Sequence, residues 1–114
     1  MSKEVVRTEA APAPFQGAPY SQAIKANGFV FVSGQLALRP GAHELVPGDI
    51  AEQTEQVLAN LVKTTVFLQN LADFPGMNEV YAKHVGDTPP ARSTVEVAKL
   101  PSGALVEIEA IALL

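Results

Sequence analysis

The sequence predicts an α+β fold in which two helices pack on one face of a mixed β-sheet. Three observations favour this class. β-Hairpin patterns stand near both ends of the chain, two helix patterns lie between them, and a length of 114 residues with 47% hydrophobic side chains suits one compact core. We therefore expect residues 1–114 to form a single domain, and the high apolar content favours further burial in an oligomer.

The N-terminal part of the chain contains the strongest hairpin pattern. Residues 4–7 predict a short edge strand. Residues 10–19, rich in Ala, Pro and Gly, predict an ordered loop or a lid that can deliver Tyr20 to a defined place, and the alternative is that Tyr20 is only a rim aromatic. The dipeptide Asn27-Gly28 favours a type I′ turn between strands over residues 24–26 and 29–33. Gly34 predicts a bulge or a close approach of the backbone to another group, and the strand resumes over residues 35–38.

Two helix patterns follow, and a strand pattern separates them. Asp49 is the predicted N-cap of the first helix, with Glu52 at capping-box spacing and apolar residues up to Leu61. The β-branched run of residues 62–68 comes next with no turn residue between. Asp73 is the predicted cap of a second helix that ends at Gly86; its apolar face carries Phe74, Met77, Val80, Tyr81 and either His84 or Val85.

Two alternating runs near the C-terminus predict a second antiparallel hairpin. Arg92, Thr94 and Glu96 share one side of the first run, and Glu107 and Glu109 share one side of the second, residues 105–113. Residues 100–103, Leu-Pro-Ser-Gly, predict the turn. The register that avoids opposed glutamates places Arg92 opposite Glu109. A guanidinium beside a carboxylate can bind a carboxylate ligand and supply acid/base chemistry, or it can be an ion pair that only satisfies a strand face.

The composition argues against several classes of function. With 8 basic and 12 acidic residues the net charge is −4, so the clustered positive charge that binds nucleic acid is missing. The lack of cysteine excludes disulfides and a thiolate nucleophile. His43 and His84 lack metal-ligand spacing, and Ser33 lacks a nucleophile-elbow motif, so we expect no metal and no covalent serine mechanism. No signal peptide or membrane span is predicted, and we expect a soluble, cytoplasmic protein.

Three motifs together resemble the reactive intermediate deaminase (RidA, YjgF) family over nearly the whole chain. They are GAPYSQA around Tyr20, VSGQLAL around Ser33, and PPARSTVEV followed by VEIEAIA. The resemblance implies a chorismate-mutase-like fold and a homotrimer with a site at each subunit interface. It also implies cofactor-independent hydrolysis of enamines and imines, such as 2-aminoacrylate and 2-iminobutyrate, to 2-keto acids and ammonia. The implied partners are a small carboxylate substrate and further copies of the chain, with no nucleic acid or membrane.

The same resemblance assigns roles to individual residues. It implies that Arg92 binds the substrate carboxylate and that Glu107 is the acid/base group. The other residues that it places around the substrate are Tyr20, Ser33, Gly34, Asn78 and Thr94. Many bacterial relatives carry cysteine where this chain has Thr94, so a thiol-based property of those relatives is not expected here.

The main departure from the family pattern lies between Leu61 and Val62. Relatives have roughly a dozen further residues there, an ordinary length for a helix end and a loop. Either this is a true deletion or a segment is missing from the sequence, and we favour a missing segment because both sides stay in phase with the family.

Three hypotheses about function follow. The first is an imine deaminase, that is, a 2-iminobutanoate/2-iminopropanoate deaminase. The second is a trimeric regulatory module that binds small carboxylates without turnover. The third is the ribonuclease or chaperone-like activity attributed to some relatives, which the acidic composition disfavours.

Overall fold

A computed structural model describes residues 2–7, 18–35 and 61–113, and the structural statements below concern these residues. They form a six-stranded mixed sheet in the order β1-β2-β3-β6-β4-β5, with one α-helix. The elements are β1 (Glu4–Val6), β2 (Ala23–Ala26), β3 (Phe29–Gln35), β4 (Leu61–Leu68), α1 (Phe74–Val85), β5 (Ala91–Glu96) and β6 (Val106–Leu113), with 3₁₀ turns at Leu71–Asp73 and Pro101–Gly103.

The predicted α+β class with a mixed sheet is confirmed. Three predictions lie outside the described residues: most of the loop at residues 10–19, the strand continuation at 36–38 and the first helix from Asp49. The end predicted for that helix is wrong, because Leu61 is the first residue of β4, paired with Ala112 of β6.

The first hairpin forms as predicted. β2 and β3 pair antiparallel, with Ala26 opposite Phe29, so two residues form the turn. Asn27 and Gly28 both have positive φ, 51° and 80°, as a type I′ turn requires. β1 pairs with β2 at one edge of the sheet, which confirms the short edge strand.

β3 contains the bulge that Gly34 predicts. Val32 pairs with Ala110 of β6, and Gln35 pairs with Ile108. Two residues of β3, Ser33 and Gly34, therefore face the single β6 position between those pairs, which is the two-against-one pattern of a β-bulge.

The predicted hairpin of β5 with β6 is wrong, because β4 lies between them. β5 pairs with β4 in parallel, with Thr64 beside Arg92, and β6 pairs antiparallel with both β4 and β3. Residues 97–105 are a crossing connection instead of a tight turn. The side chain of Gln69 fixes this connection: Oε1 accepts from the Leu100 N–H at 2.8 Å and Nε2 donates to the Ala98 carbonyl at 3.3 Å.

The helix α1 packs on one face of the sheet, here called the helix face. Its core consists of Val66, Leu68, Met77, Tyr81, Val106 and Ile108. Val85 packs against this core and His84 is exposed, which settles the alternative at the end of the helix. Asp73 makes no side-chain cap bond; Asn70 Oδ1 caps the preceding 3₁₀ turn by accepting from the Ala72 N–H at 2.9 Å.

Candidate active site

The side chain of Arg92 lies on the helix face, at the edge strand β5. Its guanidinium carbon Cζ is 4.7 Å from the ring centroid of Tyr81 and 5.5 Å from that of Phe74. Its Nη1 lies 3.9 Å from the sulfur of Met77. Both ring distances are in the cation–π range. Three side chains of α1 thus hold the guanidinium.

Two further predicted site residues lie on the same side of the sheet as the Arg92 side chain. Thr94 is two residues along the same strand and points to the same face, and Asn78 stands on α1 between the two rings that contact Arg92. The Thr94 Oγ1 and Asn78 Oδ1 atoms are buried and have no hydrogen-bond partner among residues 2–7, 18–35 and 61–113. Buried polar atoms are seldom left unpaired, so each of these two atoms is an unusual local feature.

Glu107 belongs to a second group of site residues, on the face opposite the helix. Its neighbours Val106 and Ile108 point into the core under α1, so the alternation of β6 turns Glu107 away from the helix. A Cβ atom at Gly34 would overlap the carboxylate oxygen Oε1 of Glu107 and stand 2.9 Å from its carboxyl carbon. The glycine in the bulge therefore lets the Glu107 carboxylate lie directly against the β3 backbone.

The surroundings of Glu107 change its acidity. Its pKa is raised from the ordinary value of 4.5, first by burial and then by repulsion from Glu109. A carboxyl group with a raised pKa holds its proton closer to neutral pH, which suits a group that must both give and take a proton.

Ser33 and Tyr20 are placed on the side of β3 that faces β2. The Ser33 hydroxyl donates to the carbonyl oxygen of Ser21, and the Ser33 N–H donates to the carbonyl of Gln22 at 3.0 Å. Tyr20, just before these residues, is 50% exposed. Ser33 thus ties the segment that follows Tyr20 to the bulge next to Glu107, and its hydroxyl already has a backbone partner.

The structure does not bring Arg92 and Glu107 together within one chain. Glu107 is level with Phe67 of β4, which is level with Val95 of β5, three residues beyond Arg92. With β4 between them, their Cα atoms are separated by roughly 10 Å across the sheet and roughly 10 Å along it. Their side chains also point to opposite faces. An ion pair of Arg92 with Glu107 or Glu109 in one chain, the alternative to a functional arginine, is therefore excluded.

Sequence reasoning missed three contributors to this site. Phe74, Met77 and Tyr81 were predicted to be core residues, and they are, but they also contact Arg92. Their spacing along the helix placed them on one face, and only the position of β5 shows that an arginine lies against that face.

A cavity of about 360 Å³ lies on the face opposite the helix, and it includes none of the predicted site residues. Its lining consists of Phe31, Val32, Lys63, Thr65, Glu109, Ala110 and Ile111. In the described ranges, no group of three or more His, Cys, Asp or Glu side chains is arranged to hold a metal ion. No helix within those ranges has the length and apolarity needed to cross a membrane.

Comparisons with known proteins agree along the whole chain. The family model described as Endoribonuclease L-PSP matches residues 8–114. Reactive Intermediate Deaminase A, chloroplastic, from Arabidopsis thaliana is 49% identical over 128 residues, covering 100% of this chain and 67% of that protein. The 2-iminobutanoate/2-iminopropanoate deaminase of Mus musculus is 40% identical over 124 residues, covering 96% and 90%. The crystal structure of RidA from the Antarctic bacterium Psychrobacter sp. PAMC 21119 superposes with a TM-score of 0.87 at 37% identity, covering 97% of this chain and 99% of that one.

The comparisons also bear on the length of the chain. The alignment with the Arabidopsis protein spans 128 positions, more than the 114 residues of this chain, so that relative has residues that this chain lacks. Because the family model and the two deaminase relatives match from the N-terminal loop to the last strand, the protein belongs to the Endoribonuclease L-PSP family, the family of the RidA reactive intermediate deaminases.

Proposed function

We propose that this protein hydrolyses 2-enamino and 2-imino acids to 2-keto acids and ammonia without a cofactor. The observation that carries the proposal is the guanidinium of Arg92, held against two rings with no carboxylate from β6 beside it. The substrates in the name of the mouse relative carry a carboxylate next to a C=N bond. A planar guanidinium binds a carboxylate through two parallel hydrogen bonds, which both neutralises the charge and orients the C=N group.

The proposed chemistry needs one group that moves protons. An enamine substrate first takes a proton from the Glu107 carboxyl group at its terminal carbon and becomes the iminium ion. Water then adds to the C=N carbon while Glu107 accepts a proton from that water. Glu107 returns the proton to the nitrogen. The C–N bond then breaks and ammonia leaves, while the hydroxyl group gives its proton to Glu107, so that the C=O bond of the keto acid forms and the carboxyl group is restored. An imine substrate enters at the second step, protonated on nitrogen. A positioned carboxyl group accelerates such steps by roughly 10²- to 10⁴-fold.

We further propose that the site forms between subunits of a homotrimer. Arg92 and Glu107 point to opposite faces of the sheet, so they can act on one substrate only if each comes from a different copy of the chain. Apolar side chains support burial of the face that carries Glu107: Phe31 is 44%, Val95 44% and Leu113 62% exposed. A patch of this kind is typical of a protein interface. A closed ring of identical subunits then repeats the same contact at every interface.

The test follows the loss of 2-iminobutyrate, generated in situ and trapped with semicarbazide. We expect Arg92→Ala to lower kcat/KM at least roughly 30-fold, since the substrate carboxylate would lose its cationic partner. Arg92→Lys will not restore the activity, because an ammonium cannot form the paired hydrogen bonds or stack on the rings. Glu107→Gln should lower kcat roughly 10²-fold or more. The matched controls Lys83→Ala and Glu79→Gln, both exposed on α1, should behave as wild type.

Two results would contradict the proposal in different ways. Full turnover by Arg92→Ala would overturn the assigned site. A folded wild-type protein that binds 2-ketobutyrate in calorimetry but shows no turnover would instead establish the non-catalytic carboxylate-binding module.

A further inference from the structure

Thr64 of β4, Tyr81 of α1 and Arg92 of β5 are neighbours of one another, so this cluster joins three elements. Thr64 of β4 is the direct neighbour of Arg92 in the parallel pairing with β5. The Thr64 Oγ1 and the Tyr81 hydroxyl are 2.7 Å apart, and the Tyr81 ring lies 4.7 Å from the guanidinium carbon of Arg92. β4 thus pairs with the strand that carries Arg92, and through Thr64 it also holds the Tyr81 ring that contacts the Arg92 side chain.

The burial of the two hydroxyl groups makes this contact specific. Thr64 is 0% and Tyr81 5% exposed. A buried tyrosine hydroxyl needs a hydrogen-bond partner, and within the described part of the chain Thr64 supplies it. Threonine is β-branched and has few side-chain rotamers, so its hydroxyl is a rigid anchor on β4. The orientation of the Tyr81 ring is therefore set by the sheet as well as by α1.

A fixed ring has a direct effect on Arg92. Arginine has a long flexible side chain that loses rotamer freedom when it binds a ligand. The Tyr81 ring, the Phe74 ring at 5.5 Å and the Met77 sulfur at 3.9 Å already restrict the guanidinium before any ligand arrives. A side chain that is ordered in advance binds its ligand more tightly, because less entropy is lost on binding.

We infer that Tyr81 and Thr64 are positioning residues for the Arg92 guanidinium. Tyr81 holds the plane of the guanidinium, and Thr64 acts through Tyr81 by fixing the ring. The inference rests on the proposed role of Arg92 in binding a substrate carboxylate, and it adds residues that contact no substrate.

The first test compares Tyr81→Leu, Phe74→Leu and Val80→Ala. NMR reports the ring-current shift of the Arg92 side-chain protons, with Arg92→Lys used for assignment. Tyr81→Leu should move these signals towards free-arginine values and raise KM for 2-iminobutyrate roughly 2- to 30-fold, with a smaller change in kcat. Phe74→Leu should give a smaller effect in the same direction. Val80→Ala removes packing from the same helix without touching Arg92 and should leave both measurements unchanged.

The second test addresses the hydrogen bond. Thr64→Val leaves the Tyr81 hydroxyl unpaired, so the Arg92 signals should shift and KM should rise, whereas Thr64→Ser keeps the hydroxyl and should resemble wild type. Tyr81→Phe combined with Thr64→Val removes both hydroxyls. The change in KM and in the Arg92 signals of this double variant should be smaller than the sum of the changes in the two single variants.

The outcomes separate this inference from the proposed function. Unshifted Arg92 signals together with wild-type KM in folded Tyr81→Leu and Phe74→Leu would overturn it. If Tyr81→Leu does not fold, Phe74→Leu and the Thr64 pair decide by the same measurements. A wild type without turnover, whose Arg92 signals still move in Tyr81→Leu, would support the positioning role and overturn the deaminase.

Discussion

Gly34 shows how one residue without a side chain shapes the surroundings of a candidate catalytic group. The bulge in β3 brings the Gly34 backbone against the carboxylate of Glu107, where a Cβ atom has no room. Contact with the backbone removes part of the water around the carboxylate, and this burial raises its pKa. Repulsion from the nearby Glu109 raises the pKa further.

Replacement of Gly34 by alanine should therefore act on Glu107 first. We expect Gly34→Ala to displace the carboxylate, to lower kcat, and to destabilise the fold by about 1–3 kcal/mol through overpacking. Gly28→Ala is the matched control, because its positive φ of 80° makes alanine strained while nothing lies within 4 Å of the added Cβ. It should lose stability but keep the activity of the folded fraction. Equal kcat values for the two variants would contradict this role of Gly34.

The raised pKa of Glu107 predicts a pH-dependent effect of Glu107→Gln on stability. The folded state holds the proton more tightly than the unfolded chain, so ionisation costs the folded state stability as pH rises from about 4.5 through the raised pKa. Glutamine does not ionise. The free energy of unfolding of Glu107→Gln relative to wild type should thus grow as the pH rises from about 4.5 through the raised pKa, and it should stay constant above that pKa.

Denaturant unfolding at several pH values measures this difference. Glu109→Gln provides the comparison, because removal of the second charge removes one of the two causes of the shift. In the Glu109→Gln protein, the stability difference caused by Glu107→Gln should therefore vary less with pH. A difference that does not vary with pH would show that Glu107 ionises without cost to the folded state.

At the scale of the elements, two candidate capping residues precede α1, and only one of them makes a side-chain hydrogen bond to the backbone. Asn70 Oδ1 accepts a backbone hydrogen bond in the 3₁₀ turn before the helix, and Asp73 makes no side-chain cap bond. We expect Asn70→Ala to cost about 1 kcal/mol of stability and Asp73→Ala clearly less, as measured by urea unfolding. The reverse order would mean that Asp73 caps the helix in solution as its sequence position suggests.

The strands show which part of the fold could be predicted from the sequence. Alternation correctly separated the two faces of β5, with Arg92 and Thr94 half-buried and Ser93 and Val95 exposed. A period of two is a local property, so the sequence carries it. The choice of a pairing partner is not local, and consecutive strands are not always neighbours in a sheet. The predicted β5–β6 hairpin failed for that reason, and with it the predicted closeness of Arg92 and Glu109.

The motifs and the resemblance select individual residues, but only the structure shows how these residues are arranged. The structure places Arg92 and Thr94 on one face of β5, and it places Gly34 against Glu107. Asn78 lies on α1, which covers the helix face. Their division between two faces of one sheet depends on strand order. The support that Thr64 and Tyr81 give to Arg92 depends on how α1 lies over β4, and a sequence pattern does not contain that information.

At the scale of the whole molecule, the division of the site predicts complementation between inactive variants. Arg92→Ala and Glu107→Gln chains, mixed during refolding, should form some interfaces with an intact Arg92 from one chain and an intact Glu107 from the next. With random assembly about a quarter of the interfaces are intact, so about a quarter of wild-type activity should return. The two variants refolded separately and then combined without exchange are the control. No recovery in mixed assemblies would contradict a site shared between two chains.

The placement of Arg92 and Glu107 on opposite faces of one sheet also bears on inheritance. In the proposed trimer each site takes one of these side chains from each of two adjoining copies, so the ring has a direction. A copy that has lost one of the two side chains disables one site of its assembly, whereas a copy that has lost both disables two. A doubly altered chain that still assembles would therefore act as the stronger dominant-negative allele when it is made together with the intact protein.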